Sequence, residues 1–389
     1  MVSRSRLIIL CLMAIIPVLT VSCTRSYRSS PERQQLPSPW PYHHGGLASQ
    51  GSVRESGFEG KLDIVWETRR GEKPVGPLTI RQGCLILPGS RNKIRFYDTV
   101  TGRLLGSLKS HGVAHTGLVI QDSLAFFATS PRRAWLRCVN LRSGKLLWKR
   151  HIKDAAAGSI LLDNRLIVSS MDGQLLACSI QDGSVIWTFQ TDGGLAAPVS
   201  YADGRIFQPS DDGTLYAISP EDGSELYRVT GNSPRVGAVA VSDLVFAADM
   251  SGHVYGIEPQ DGRIAWDTRL DGPIWTTPAV GDDRLFVGHS GGRLVALDAV
   301  DGRVLWRFDA DEVIRASAIV VDGYVIVGTM AGSLFSLDAD DGRVVDRRQL
   351  GSAVAWPPVS DGQRVFVATQ SGTTICFGRR HDDSKHDDQ

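Results

Sequence analysis

The stretch DGRIAWDTRLDGPIWTTPAVGDDRLFVGHSGGRLVALDAVDGRVLWRF, residues 261–308, opens and closes on the same phrase, an Asp-Gly turn with a tryptophan four places after the glycine. Its two glycines, Gly262 and Gly302, stand 40 residues apart. Working outward from them, the glycine recurs at Gly102, Gly144, Gly183, Gly223 and Gly342, in steps of 42, 39, 40, 39, 40 and 40 residues along the chain. The aromatic four places on is Trp148, Trp187, Tyr227, Trp266 and Trp306; the first and last copies carry Gly106 and Asp346 instead. A fixed period of this length marks a repeat architecture.

Within one period the apolar pattern alternates with period two. In RLFVGHSGGRLVALD, short β-branched and aliphatic runs flank a Ser-Gly-Gly turn, the pattern of a β-hairpin. Four such runs fill the copy ending at Trp306, at 276–280, 284–288, 293–298 and 303–308. Glycine and aspartate between them suit tight turns. No amphipathic helical stripe follows residue 60. Four strands per period predict a propeller blade. A proline or small residue opens each first strand at Pro77, Gly117, Gly158, Pro198, Gly237, Pro278, Ser317 and Pro358, which counts eight blades. Seven copies carry a fourth strand after the glycine turn. KLDIVWET (61–68), with Trp66, supplies the eighth and closes the ring. The expectation is an all-β, eight-bladed β-propeller of four-stranded antiparallel blades over residues 61–378.

The phrase LVALDAVDGRVLWRF resembles the pyrroloquinoline-quinone-type (PQQ-like) propeller repeat, close to A-x-D-x-x-T-G-x-x-x-W. In that family the tryptophan docks on the turn of the neighbouring blade. The resemblance implies this role for Trp148, Trp187, Trp266 and Trp306, with Tyr227 as a substitute, and Trp66 takes the matching place in the closing strand. The repeat specifies a fold and leaves the function open.

The chain carries 42 basic and 42 acidic side chains, a zero balance that argues against binding nucleic acid through bulk charge. Arg4 and Arg6 precede the apolar run LIILCLMAIIPVLTVSC, so residues 1–22 read as an export signal. The ending LTVSC resembles a lipoprotein processing site, with Cys23 as the lipidated residue and Thr24 implying the outer membrane, periplasmic side. Residues 23–60 read as lipidated cysteine, a flexible tether rich in Ser, Pro and Arg, and a Trp-Pro lead-in, WPYHHGG, at 40–46. Residues 379–389 read as a charged, disordered tail. Cys84, Cys138, Cys178 and Cys376 read as small buried apolar residues, Cys138 and Cys178 pointing to opposite faces, with Cys84–Cys376 as the one pairing left open.

The chemistry-bearing patterns have simpler readings. GHSGG (288–292) has strands on both sides, so it is a hairpin turn and not a nucleophile elbow. His111 and His115 are four apart, but no helix carries them. The Asp298/Asp301 and Asp338/Asp341 pairs form turns. The dehydrogenases of the resembled family carry an adjacent Cys-Cys pair and acidic calcium ligands; neither appears as a motif here. No catalytic residue, metal or cofactor is assigned, and bound PQQ with Ca2+ is unsupported by motifs. Signal, lipidated cysteine, tether and ring resemble the propeller lipoproteins of the outer-membrane β-barrel assembly machinery. This implies a monomeric, non-enzymatic protein–protein interaction scaffold whose partner is an envelope protein, with a β-barrel assembly complex the partner that the resemblance points to. The alternatives are a PQQ-binding oxidoreductase-like protein and a periplasmic or cell-surface sensor or binding module.

The residues two places before the first-strand anchors should line one mouth of the central channel: Val75, His115, Ala156, Ala196, Arg235, Thr276, Arg315 and Trp356, with Trp275 beside Thr276. Arg and Trp are enriched at binding hot spots. Arg235, Trp275, Arg315, Trp356 and His115 are therefore the candidate partner-binding mouth. The competing reading has the indoles plugging the channel and the guanidinium groups bonding turn carbonyls.

Overall fold

The computed structural model of the 389-residue chain describes residues 52–53, 57–69, 72–129, 134–154, 158–231, 233, 235–240 and 244–379, excepting the side chains of 235, 236 and 238–240. The expected signal segment, Cys23, the Trp40–Gly46 lead-in, Ala156 and the tail beyond Arg379 lie outside the described residues.

The repeat quoted above forms four strands, Ala279–Gly281, Arg284–His289, Arg293–Asp298 and Val304–Asp309, each antiparallel to the next. Seven further sheets repeat this order around the ring. Blade 1 begins at Thr79, blade 2 at Val119, blade 3 at Ile160, blade 4 at Ser200, blade 5 at Arg235, blade 7 at Ile319 and blade 8 at Val359, the quoted repeat being blade 6. The fold is an all-β, eight-bladed propeller, with no helix among the described residues.

The second strands explain why their sequences are continuously apolar. Phe286 packs with Val325, Val327 and Phe335 of blade 7, while its neighbours Leu285 and Val287 pack with Phe246 and Ala248 of blade 5. Both faces of a middle strand are thus covered by flanking blades, and the core is a set of layers between sheets. The fourth strand lies outermost and alternates in exposure, as Val304–Asp309 does. Turns between first and second strands hold Asp163, Asp203, Asp282 and Asp322 at φ of 52, 48, 52 and 51°, the left-handed geometry of a tight hairpin turn that Asp tolerates.

The N-terminal closure is present. Ile64–Arg69 pairs antiparallel with Thr373–Gly378 as the outer strand of blade 8, with Trp66 opposite Cys376. The preceding segment adds something the pattern did not signal. Ser52–Val53 pairs in parallel with the innermost strand of blade 7, Ile319–Val321, making that sheet five-stranded.

The four cysteines among the described residues are buried free thiols, as expected. Cys84 and Cys376 are buried thiols, and the pairing left open between them is not formed. Cys138 and Cys178 do face opposite sides of their own sheets. In stacked blades, however, those sides meet, so both lie in one apolar cluster between blades 2 and 3.

Candidate functional site

Each repeat aromatic reaches the next blade. The indole NH of Trp148 donates to Ile180 O at 2.8 Å, Trp187 to Pro220 O at 3.0 Å, Trp266 to Ala299 O at 3.2 Å and Trp306 to Ala339 O at 3.1 Å. The hydroxyl of Tyr227 donates to Pro259 O at 2.7 Å. Trp66 does the same across the ring seam, to Thr99 O at 2.9 Å. The glycine of each turn is what lets the ring approach. A Cβ on Gly183, whose φ is +71°, would sit 2.6 Å from the Trp148 ring. Where the first copy has Gly106 and no aromatic, the turn at Gly144 has nothing within 4 Å of its Cβ position. Where the last copy has Asp346, the carboxylate accepts the NH of Leu62 at 2.9 Å and Arg348 donates to Leu62 O at 2.8 Å. The departing residue is thus matched to a neighbour that arrives as the N-terminal strand and brings no glycine turn.

The mouth residues are carried by the connections that lead into each first strand. These connections share a rhythm of buried, open, buried: Leu195–Ala196–Ala197, Ile274–Trp275–Thr276 and Ile314–Arg315–Ala316. The open residue in the middle is the position that the sequence pattern assigns to the mouth. Two sequence assignments shift by one place as a result. The anchor two residues before the first strand is Thr277 in blade 6 and Pro357 in blade 8, not the prolines that follow them. Thr276 is accordingly buried, donating to Gly288 O at 2.7 Å. Trp356 is half-buried and donates to Pro74 O at 3.4 Å, and Ala355 holds the mouth position. His115 places Nδ1 3.1 Å from Val75 O. Arg235 opens the first strand of blade 5 opposite Asp249; its side chain lies outside the described residues.

Of the candidate set, the structure brings Trp275 and Arg315 together. The Arg315 guanidinium lies 4.5 Å from the centre of the Trp275 ring, and Trp275 is 43% exposed. With Met330, Ala355 and Gln370 they line a pocket of about 210 Å³. Arg315 forms no ion pair among the described residues. Met171, Met250 and Val313 are likewise exposed, the two methionines in turns between second and third strands. Those turns open on the same side as the blade-to-blade connections. Sequence reasoning found the Trp and Arg and missed the methionines, whose signal was their recurrence at the first place of that turn, as in Met171, Met250 and Met330. A flexible thioether beside a rigid indole gives an adaptable apolar surface.

A PQQ–calcium pair needs converging carboxylates. Among the described residues no group of three or more His, Cys, Asp or Glu side chains converges, and no two cysteines are adjacent in sequence. Among the described residues the side chains do not supply that ligand set.

Comparison with known proteins follows this geometry. A family model described as outer membrane protein assembly factor BamB matches residues 132–241 and 212–387. No curated protein sequence matches the chain. The crystal structure of BamB from Moraxella catarrhalis is similar at a TM-score of 0.71 and 18% identity, covering 82% of this chain and 100% of that one. The computationally designed Ika8 protein gives 0.73 at 15% identity, with 82% and 100% covered. Quinohemoprotein alcohol dehydrogenase from Comamonas testosteroni gives 0.74 at 12% identity, with 88% and 81% covered. At such identities these structures show the shared propeller and nothing finer.

Proposed function

The chain belongs to the family of outer membrane protein assembly factor BamB, and from that membership we propose a non-enzymatic scaffold, lipid-anchored through Cys23 to the periplasmic side of the outer membrane and docking partners of β-barrel assembly. The observation that carries the docking surface is the exposed Trp275–Arg315 pair at the channel mouth. Trp275 offers a large rigid surface, and Arg315, resting on it, points directed donors at whatever approaches. An extended peptide segment with backbone carbonyls or an acidic side chain would satisfy both. Met330 and the open methionines of neighbouring turns adapt the rim to its side chains. Arg235 and His115 belong to the same proposal as mouth residues of neighbouring blades, and Trp356 as support through Pro74.

The docking surface and the anchor are tested separately. A photo-crosslinking amino acid at position 275, used in the native envelope, is expected to capture a discrete partner of the assembly machinery. Trp275→Ala with Arg315→Ala should lose that partner with unchanged melting; full recovery of the partner would remove the mouth from consideration. Cys23→Ser should block lipoprotein processing and remove the acyl mass, because firm anchoring takes more than one acyl chain and all of them depend on that cysteine. An unlipidated amino terminus found by mass spectrometry in the wild-type protein would defeat the anchor.

A further inference from the structure

Blade 2 carries a group of basic side chains that no carboxylate among the described residues balances. Arg137, on the third strand Ala134–Asn140, is 8% exposed. Its Nε donates to Thr129 Oγ1 and its Nη2 to His111 O, both at 3.4 Å, beyond the usual length of such bonds. Directly opposite Arg137 on the outer strand stands Lys149. Like charges at directly opposed positions destabilise a sheet. The Lys149 ammonium rests 4.8 Å from the centre of the Trp135 ring, and Trp135 meets His151 edge-on at 5.4 Å. The His111 imidazole is held below its ordinary pKa by burial first, then by Lys109, Arg137 and Lys149. The charges acting on it are all positive. Among the described residues, none of Arg137, Lys149 and Lys109 forms an ion pair.

Blades 1 and 7 show what is missing. Arg95 occupies in blade 1 the place of Arg137, opposite Leu87 as Arg137 is opposite Phe127. There the guanidinium is met by Glu72, 2% exposed, from the connection that leads into the blade. In blade 7 the third-strand place belongs to Phe335, and Glu312 from the corresponding connection accepts from Ser333 Oγ at 3.0 Å and from Thr329 and lies 3.6 Å from Arg347, the outer-strand residue in the place of Lys149. In blade 2 that connection reads His111–Gly112. Gly112 lies against Thr129, whose blade 1 equivalent, Gly89, lies against Glu72. A buried guanidinium without its carboxylate is costly, and blade 2 bears that cost where blade 1 does not.

We propose that this site binds an acidic peptide segment of a partner, one Asp or Glu carboxylate entering beside Arg137 in the place that Glu72 fills in blade 1. Lys149 and His111 flank the carboxylate, and the Trp135 ring gives the peptide a flat surface to lie against. Carboxylate is the chemistry indicated because glutamate fills both sibling sites. The site is on blade 2, separate from the Trp275–Arg315 pocket of the mouth, and its success or failure is independent of that docking surface.

The test uses the purified full chain and a fluorescein-labelled peptide of alternating glutamate and threonine, beside its glutamine counterpart, in anisotropy titrations. The glutamate peptide is expected to bind at least about tenfold more tightly than the glutamine peptide, and Arg137→Met to abolish the difference. Arg137→Met should leave the melting temperature unchanged or raise it, because it removes an unbalanced buried charge. Thr129→Asp places a carboxylate at the atom Arg137 now touches and should block the peptide from within. Equal binding of the two peptides overturns the proposal, as does full binding by Arg137→Met. A lower melting temperature with peptide binding retained would make Arg137 a structural residue and also overturn it. Inorganic phosphate binding at Arg137 without preference between the peptides would assign the site to phosphate, and acidic-peptide recognition would fall.

Discussion

Trp66 donates its indole NH to the carbonyl oxygen of Thr99 at 2.9 Å while its own strand completes blade 8, so one side chain ties the last blade to the first. The ring packs half-buried against Phe366 at 5.9 Å. Trp66→Ala removes both the packing and the bond. Because the side chain is only partly covered, the expected loss is about 2–3 kcal/mol, below that of a fully buried tryptophan. Chemical denaturation of the two proteins measures it. Trp66→Phe should recover the packing part and leave Thr99 O with Arg364, whose Nη1 donates to it at 3.2 Å.

The seam also depends on Asp346, which accepts the buried Leu62 NH at 2.9 Å. Asp346→Ala leaves that NH unsatisfied and should cost about 1–2 kcal/mol. Asp346→Asn keeps an acceptor and should cost less. Asp346→Trp, which restores the aromatic of the repeat, should not stabilise, because Leu62 lies where other blades present a glycine turn. A higher melting temperature for Asp346→Trp would show that the departure is incidental.

Burial pushes the thiol of Cys138 up to about 12 and that of Cys178 up to about 11, with Arg150 opposing in the second case. The thiolate is the reactive species. Both cysteines should therefore resist alkylation in the folded protein at mildly alkaline pH and react at the rate of unfolding in denaturant. Mass spectrometry after timed alkylation reads the difference.

His289 is 2% exposed and accepts the Gly291 NH at Nδ1, 3.1 Å away, leaving Nε2 as the protonated nitrogen facing Asp271 at 3.4 Å. Burial lowers its pKa, and Asp271 opposes that shift without reversing it. The unfolded chain then binds a proton more readily than the folded one. Stability present above the unfolded value of about 6.5 is lost as pH falls from there toward the depressed folded pKa. His289→Asn should flatten the decline of melting temperature over that window. An identical decline in the variant would place the titration elsewhere, with His111, also lowered, the next to substitute.

The period, blade count and closure were legible because each rests on local rules repeated many times. Alternation set the strands, Gly183 and its equivalents set the turns, and Trp66 in KLDIVWET stood out as an aromatic without its own turn. Two first-strand anchors were read one place out, in blades 6 and 8, because Pro278 and Pro358 stand next to Thr277 and Pro357, which hold the position two residues before the strand. Ser52–Val53 is too short to carry a periodic signal and is defined only by its partner 268 residues on, Val320. The basic group of blade 2 depends on which residue stands across from which. Arg137 and Lys149 look like ordinary surface charges until the register opposes them.

Two truncations separate the contributions of the N-terminal segment. Ser52–Val53 lies in parallel against Ile319–Val321, and Val53 O accepts the Asp322 NH at 3.0 Å. A chain beginning at residue 57 loses that short pairing. It keeps Phe58 against Tyr324, the Gly57 NH bond to Asp322 at 2.7 Å and the whole outer strand of blade 8. It should fold with a loss of about 1–2 kcal/mol. A chain beginning at residue 70 also loses Leu62, Trp66 and the pairing of Ile64–Arg69 with Thr373–Gly378. The third strand of blade 8 then presents unpaired NH and carbonyl groups to other chains. Light scattering should show aggregation of this shorter chain at temperatures where the longer one stays monomeric. A soluble and equally stable protein from residue 70 onward would mean that the ring does not need its N-terminal strand to hold shut, and that Trp66 and Asp346 decorate a seam already closed by blades 7, 8 and 1.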